Sequence, residues 1–433
     1  MNVKGRATRW GPSLALGAAV LLSAAPGAAQ TAPQPPPQMS VTLDQAIEFA
    51  RQHNHALLAA RTTIQQNLAQ ETTANLRPNP VLLGDAQFLP FFSPSNFTSD
   101  YFSSGAQFDV GVSYLFERGD KRQHRLEAAK DQTAVTTAQV FDTERTLTFN
   151  VASQFIAALL AQSNLDFANQ ALESFQRTVT VSQDRFNAGG MSEGDLLKIK
   201  LQLLQFQMDV SSAQLARAQA LASLRQLLGY ESVPENYEAS GTLAFQPIHL
   251  GLDDLKALAL QQRPDLRAAQ LAVTAAESQR ALAIANAKRD VTAQLSYTHV
   301  ADTNTASLFG NIEIPVFDRN QGEIARTGFV IAQSQQLSSE QLSIVMTDVV
   351  NAYEAAHTAS SVVDFYNAGY LKQAQDSLDI SQYAYQRGAA TLLDFLDAQR
   401  SYRTTQLAFR QALATYMLAV EQLRQAVGTR NLP

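Results

Sequence analysis

Residues 385–399 read YQRGAATLLDFLDAQ, and a looser copy, FNAGGMSEGDLLKIK, stands at residues 186–200. In each, a glycine (Gly388, Gly189) is followed three residues on by Thr391 or Ser192, and three further on by Asp394 or Asp195. Glycine takes the left-handed backbone that ends a helix at little steric cost. A Ser or Thr with an acid at the third residue after it is the capping-box pattern that starts one. Each copy therefore reads as a helix reversal, with tips at Gly189, Gly190, Met191 and Ser192 and at Gly388, Ala389, Ala390 and Thr391. Asp397 lies one turn beyond Asp394 on the same helix face, and the cap does not need it.

Outward from the tips the chain repeats itself. LDQAIEFARQHNHALLAAR begins at Leu43 and LDDLKALALQQRPDLRAAQ at Leu252, with Asp44 matching Asp253, Ala50 matching Ala259 and Leu57 matching Leu266 at one constant offset. A duplication of this length is a repeated structural unit. The first repeat spans residues 43–229 and the second 252–428, joined by an aperiodic linker at 230–251 and ending in a tail at 429–433. Each has two stretches with strand-like alternation, expected at 81–89 and 105–117 and again at 290–300 and 307–317, with loops between them at 90–104 and 301–306. The second strand of each pair runs into a matching basic junction, FERGDKRQHR at 116–125 and FDRNQGEIAR at 317–326. From each junction a helical stretch of some 65–70 residues reaches the tip, on the order of 100 Å at about 1.5 Å per residue. Return helices at 192–229 and 391–428 carry apolar residues at heptad spacing: Leu197, Leu201, Leu204, Met208 and Leu215 in the first, Phe409, Leu413, Tyr416, Val420 and Leu423 in the second. Such a stripe suits antiparallel coiled-coil packing.

Residues 1–29 have the form of a secretory signal peptide: Lys4, Arg6 and Arg9, an apolar run at 14–25, and small residues before Gln30. A proline-rich lead-in follows at 30–42. Without the signal, 30 basic residues face 39 acidic ones, a net charge of −9 that argues against nucleic acid as a partner. Cysteine is absent, so disulfides, thiolate metal sites and cysteine nucleophiles are excluded. No segment of the mature chain is long and apolar enough for a transmembrane helix. The alternating stretches, about 10 residues each, have instead the length of an outer-membrane strand. Lipid tolerates no open sheet edge, so four strands must close by joining copies of themselves, which makes the chain a cyclic oligomer sharing one barrel. The competing reading is two soluble hairpins beside a coiled coil.

Taken together, the duplicated start, strand pairs, long helices and glycine tips over residues 41–428 resemble the TolC-like outer-membrane efflux proteins. IPVFDRNQGEIAR at 314–326 and FERGDKRQHR resemble the cobalt–zinc–cadmium efflux subfamily. The resemblance implies an α+β membrane protein built from a duplicated unit of two strands and a long helical hairpin. Its homotrimer carries a 12-stranded outer-membrane β-barrel continued by a periplasmic α-helical barrel. It also implies docking of a periplasmic adaptor protein at the tips, an inner-membrane proton-driven pump behind the adaptor, contact with outer-membrane lipid at the barrel, and location in the outer membrane of a Gram-negative-type bacterium. Asp394 and Asp397 correspond to the family's entrance ring, and Tyr385 and Asp195 to a closed-state latch. The latch arginine falls on Ala390, so that part of the latch is either missing or supplied by Arg387.

Blander roles stay open for these residues. Asp195 and Asp394 serve as helix caps in any case, and Asp397 could answer the helix dipole. Arg118, Lys121, Arg122, Arg125 and Arg319 are expected as positive surface near the membrane, close to lipid phosphates, in preference to contacts with a transported ion. His53 and His55, two apart, face different ways on a helix and are not expected to bind metal. No cofactor and no catalytic constellation is expected, since the nucleophile, metal and phosphate-loop motifs of enzymes are all missing. A periplasmic scaffold or adhesin is the alternative of another class. For a channel, divalent heavy-metal cations are the expected cargo, with small organic toxicants or a type I secretion substrate as the alternative.

Overall fold

A computed structural model of the chain describes residues 39–248 and 251–431. The expected signal peptide, the lead-in as far as Gln38, and His249 lie outside the described residues. The first repeat runs β1 (Ser40–Val41), α1 (Leu43–His53), α2 (His55–Ala74), β2 (Val81–Gln87), α3 (Ser99–Ser104), β3 (Gln107–Phe116), α4 (Lys121–Asn187) and α5 (Glu193–Leu228). A short strand β4 (Glu238–Ala239) in the linker pairs with β1 in parallel. The second repeat runs α6 (Leu252–Gln262), α7 (Pro264–Asn286), β5 (Val291–Val300), β6 (Thr303–Ile312), α8 (Gln321–Phe365), α9 (Leu371–Gln386) and α10 (Leu392–Val427).

Helix α4 is 67 residues long and contains neither glycine nor proline, so nothing local interrupts it. Its counterpart is interrupted. Between α8 and α9, residues Tyr366–Tyr370 form a π-turn in which Gly369 takes φ 133°, with Tyr366 held against Phe409 at 5.8 Å.

Strands β2, β3, β5 and β6 form one antiparallel sheet in that order. The last hairpin differs from the sequence expectation. β6 starts at Thr303 and ends at Ile312, where 307–317 was expected, because Ala301 and Asp302 both take positive φ (46° and 62°) and turn the chain in two residues. Ile314 and Val316 lie beyond the strand, where Pro315 cannot donate a ladder hydrogen bond. The expected loop at 90–104 contains the short helix α3, capped by the Thr98 side chain.

Two symmetric joints hold the repeats. At the α1–α2 joint Asn54 accepts the Leu57 N–H (3.1 Å) and donates to the Leu227 carbonyl (2.9 Å) at the end of α5. At the equivalent α6–α7 joint Arg263 donates to the Ala426 carbonyl (3.1 Å) at the end of α10. Each return helix ends in a glycine pressed against the same joint. Gly229 (φ 89°) has no room for a Cβ, which would sit 2.6 Å from the His53 carbonyl oxygen, and Gly428 (φ 88°) meets Gln262 and Arg263 at 3.1–3.2 Å. By contrast Gly189 (φ 76°) faces open space. Gly229→Ala is therefore expected to lose about 2 kcal/mol or more, left-handed strain adding to a backbone overlap, whereas Gly189→Ala loses only the strain of about 1–2 kcal/mol. Urea unfolding of the two variants side by side measures the difference.

Three apolar clusters follow. One buries Ala50, Leu57, Val151, Phe155, Leu224 and Tyr237 in the first repeat, one buries Leu255, Val345, Val349, Tyr416 and Leu423 in the second, and the third lies at the tips. The heptad stripe expected to pack on α10 does so: Leu413, Tyr416 and Leu423 are buried. The stripe expected on α5 does not. Leu197, Leu201, Leu204, Met208 and Leu215 are exposed, and the face turned to α4 carries Leu196, Ile199, Phe206 and Val210 instead. α5 has apolar residues on two adjacent stripes, and periodicity alone does not say which one the chain covers.

Candidate functional site

At the tips the two hairpins lie side by side. Phe175 of α4 stacks on Phe206 of α5 (centroids 4.6 Å apart), and Tyr385 of α9 stacks on Phe395 of α10 (5.2 Å), all in one buried cluster with Ile199 and Leu392. Both reversals close with the same hydrogen bonds: Gly190 N–H donates to the Arg185 carbonyl (2.8 Å) and Ala389 N–H to the Ala384 carbonyl (2.8 Å), with Gly189 and Gly388 both at φ 76°. That is the Schellman closure of a glycine-terminated helix. Gly189, Gly190, Ser192, Gly388, Ala389 and Thr391 are exposed at the rim, and Met191 and Ala390 are half-buried.

The acids at the tips divide by role. Asp394 completes a capping box with Thr391, accepting its N–H (3.1 Å) and hydroxyl (2.6 Å) while its own N–H donates back to the Thr391 oxygen (3.2 Å). The Thr391 hydroxyl and then its N–H hold the Asp394 carboxyl below the usual carboxylate range. The first tip has half a box. Ser192 accepts the Asp195 N–H (3.1 Å), and the Asp195 carboxylate, held low by Ser192 and then by Lys198, turns to Lys198 at 3.3 Å. Asp397 is exposed and makes no hydrogen bond or ion pair among the described residues.

Tyr385 and Asp195 do not meet within the chain. The Tyr385 hydroxyl is buried without a partner, while Arg185 donates to the Tyr385 carbonyl (3.1 Å) and lies 5.3 Å from its ring. Arg387 sits 5.3 Å from the Tyr383 ring. A second contact between the hairpins joins Arg403 of α10 to Asp209 of α5, with the guanidinium 4.3 Å from the Phe206 ring. Arg185, Asp209 and Arg403 were not singled out by sequence reasoning. Each belongs to a helix whose partner is known only once the hairpins are packed together.

At the other end, one face of the sheet carries Leu82, Phe108, Val110, Val112, Leu295, Tyr297, Leu308 and Ile312. All eight are exposed, Leu82 at 75% and Leu308 at 79%. The opposite face is mostly polar, with Leu83, Leu115 and Phe309 its large apolar exceptions. There Asp85 stands directly across from Asp109, which accepts hydrogen bonds from Gln107 (2.7 Å) and Thr298. This acidic pair was also missed, because only the strand register sets the two carboxylates opposite each other. The basic junction splits in two. Lys121 is buried in an ion pair with Asp290 (2.8 Å), and Arg125 binds Glu117 (2.7 Å) and the Ala74 and Leu76 carbonyls, so both join strand to helix. Arg118 and Arg319 are exposed, and Arg122 is half-buried; none of the three forms an ion pair among the described residues. His55 begins α2 and faces Glu231 (3.4 Å).

An uncovered apolar sheet set on long helical hairpins is the arrangement of one known family. The profile of the outer membrane efflux proteins matches residues 46–230 and 255–429, the two repeats. The chain belongs to that family. Among its relatives, the cobalt-zinc-cadmium resistance protein CzcC of Cupriavidus metallidurans is 25% identical over 401 residues, covering 90% of this chain and 88% of CzcC. The pyoverdine export outer membrane protein OpmQ of Pseudomonas putida is 23% identical over 420 residues, covering 90% and 86%. A crystal structure of CusC shares the fold with a TM-score of 0.74 at 21% identity, covering 89% of this chain and 92% of CusC. The chain is thus an outer-membrane efflux channel of TolC-like fold, with a large helical part in the periplasm, and not an enzyme.

Proposed function

We propose that three copies of the chain close into one channel that exports divalent heavy-metal cations, working with a periplasmic adaptor and an inner-membrane proton-driven pump. The observation that carries the channel reading is the sheet: its apolar face is uncovered and its outer strands β2 and β6 each have a free edge. In lipid such edges must pair, and β6 of one copy against β2 of the next, three times over, gives twelve strands. A strand of 10 residues spans roughly 34 Å, enough for a tilted pass through the hydrocarbon core. The exposed Leu197–Leu201–Leu204–Met208 stripe of α5 supports the same closure, since it is an apolar helix face with no partner among the described residues of its own chain.

The polar sheet face with Asp85 and Asp109 then lines the lumen, and Asp397 rings the periplasmic mouth. Exposed Gly189, Gly190, Ala389 and Thr391 form the rim where the adaptor docks. Arg185 on Tyr385 and Arg403 on Asp209 tie the two hairpins of each protomer together at the gate. The metal cargo rests on the likeness to CzcC and on the acidic lining, and specificity resides mainly in the pump.

Two measurements test this. Protein extracted from outer membranes is expected to run as a heat-modifiable trimer and to give discrete single-channel steps in a planar bilayer. An elongated soluble monomer without conductance would sink the channel reading and favour the scaffold. In a strain lacking the gene, expression of the chain is expected to restore growth at raised cobalt, zinc or cadmium. Restored tolerance to organic toxicants alone would transfer the cargo to that class.

A further inference from the structure

A half-open cleft of about 870 Å³ lies where α1, α4, α7 and the end of α10 converge, and α4 lines it from Lys130 to Phe149. At about 1.5 Å per residue that side of the cleft is roughly 28 Å long. It begins nine residues beyond Lys121, well inside the helical part and away from the sheet. The volume is that of a small-molecule site, and its walls are strongly basic. Seven cationic side chains face three carboxylates, those of Glu71, Glu144 and Glu421.

Part of that positive charge is neutralised within the fold. Arg51 pairs with Glu144 (2.5 Å), Arg145 with Asp142 (2.6 Å), and Arg263 with Asp265 and Asp348. The remainder is not. Lys130 and Arg267 line the cleft with no ion-pair partner among the described residues. Arg424 and Arg430 share the single carboxylate of Glu421, Arg430 otherwise reaching only the exposed Asp44 at 3.6 Å. In both, a buried guanidinium nitrogen, Nε of Arg424 and Nη1 of Arg430, has no hydrogen-bond acceptor. Buried donors of this kind are ordinarily satisfied, so their presence in a basic cleft points to an acceptor supplied from outside the chain.

We infer that this cleft binds a multivalent oxyanion, a phosphate or polycarboxylate. Arg424 and Arg430 supply forked guanidinium donors from one wall, and Lys130 and Arg267 supply charge along the length. This goes beyond efflux and does not depend on it, since the cleft lies within one chain and away from both the tips and the sheet. The same oxyanion chemistry has two sources in the periplasm: small free anions, and the carboxylate-bearing peptides of the cell wall.

The test is calorimetric titration of the detergent-solubilised full chain with inorganic phosphate, citrate and a soluble disaccharide-tetrapeptide fragment of peptidoglycan, at low salt. The wild type is expected to bind at least one of the three saturably. Lys130→Gln and Arg267→Gln should each weaken that binding about tenfold, the order expected for one charge-assisted contact. Lys256→Gln, which does not line the cleft, serves as the control and should leave it unchanged. Because Lys130 and Arg267 are exposed and unpaired, their variants should keep the wild-type melting temperature. Binding of phosphate or citrate alone assigns a free anion; binding of the peptide fragment alone assigns the cell wall. No saturable binding of any of the three, or binding that both variants leave intact, overturns the site.

Discussion

Replacing Arg263 with methionine is expected to destabilise the helical part by about 3–5 kcal/mol, the range for breaking a buried ion pair from one side. The Arg263 side chain is only 3% exposed and pairs with Asp265 and, at 3.0 Å, with Asp348, while also donating to the Ala426 carbonyl. Methionine fills much of the same volume but leaves Asp265 with the Leu266 N–H (2.9 Å), the Gln341 amide (2.9 Å) and, at 3.6 Å, Arg145. Urea unfolding of the solubilised protein measures the loss. A pH series gives a second readout with a defined sign. Burial pushes the Asp265 carboxyl up, but the Arg263 guanidinium, with Arg145 behind it, outweighs burial and holds it below the ordinary carboxylate range. A depressed carboxyl contributes stability that is complete above the unfolded value, about 3.9, and disappears as pH falls through the lower folded value. In the variant the Arg263 guanidinium no longer opposes burial, so the carboxyl takes up its proton more readily than in the wild type and protonation relieves part of the damage. The gap between wild type and Arg263→Met should therefore narrow on acidification. A gap independent of pH would show that Arg263 acts by packing alone.

The double variant Asp394→Ala, Asp397→Ala is expected to abolish the cation preference of the channel and its block by divalent cations in planar bilayers. In the proposed threefold channel these positions would place six carboxylates around the periplasmic mouth, where a low-dielectric wall would focus their field. The single variants separate two roles. Asp394 closes the cap on Thr391, so Asp394→Ala should also loosen the start of α10. Asp397 has no such contact, and Asp397→Asn should change selectivity while leaving thermal stability unchanged. The selectivity difference should shrink in 1 M salt, where screening acts over about 3 Å. Wild-type selectivity and divalent block in the double variant would remove the tips from the permeation pathway.

Much of this molecule is written in short windows of sequence. The two reversals could be located from Gly189, Ser192, Gly388 and Thr391, because left-handed glycine and hydroxyl caps act through bonds spanning three to five residues. β3 could be read from the alternation of Phe108, Val110, Val112 and Tyr114 against polar neighbours. β6 was misplaced for an equally local reason. Its first half, Thr303 to Ser307, is small and polar on both faces, and an Ala-Asp turn with both residues at positive φ carries no Asn-Gly signature. The α5 stripe stays uncovered within the chain because its helix is apolar on two adjacent stripes, and only the neighbouring helix decides which of them is buried there.

Sequence alone established the duplication, the capped reversals at the tips, the strand pairs and hence the family, since all of these are patterns of spacing within one segment or between its two copies. Packing in three dimensions decided which residues hold the structure and where charge collects. Asn54 reaches Leu227, Arg263 reaches Ala426, and Gly229 and Gly428 lie flat against the joints those residues make. Asp85 is set across from Asp109, Arg403 from Asp209, and four incompletely paired cations converge on one cleft. Partners such as Asn54 and Leu227 stand 173 residues apart. Coulomb energy and steric overlap depend on distances in space, which no spacing along the chain encodes until the helices have packed.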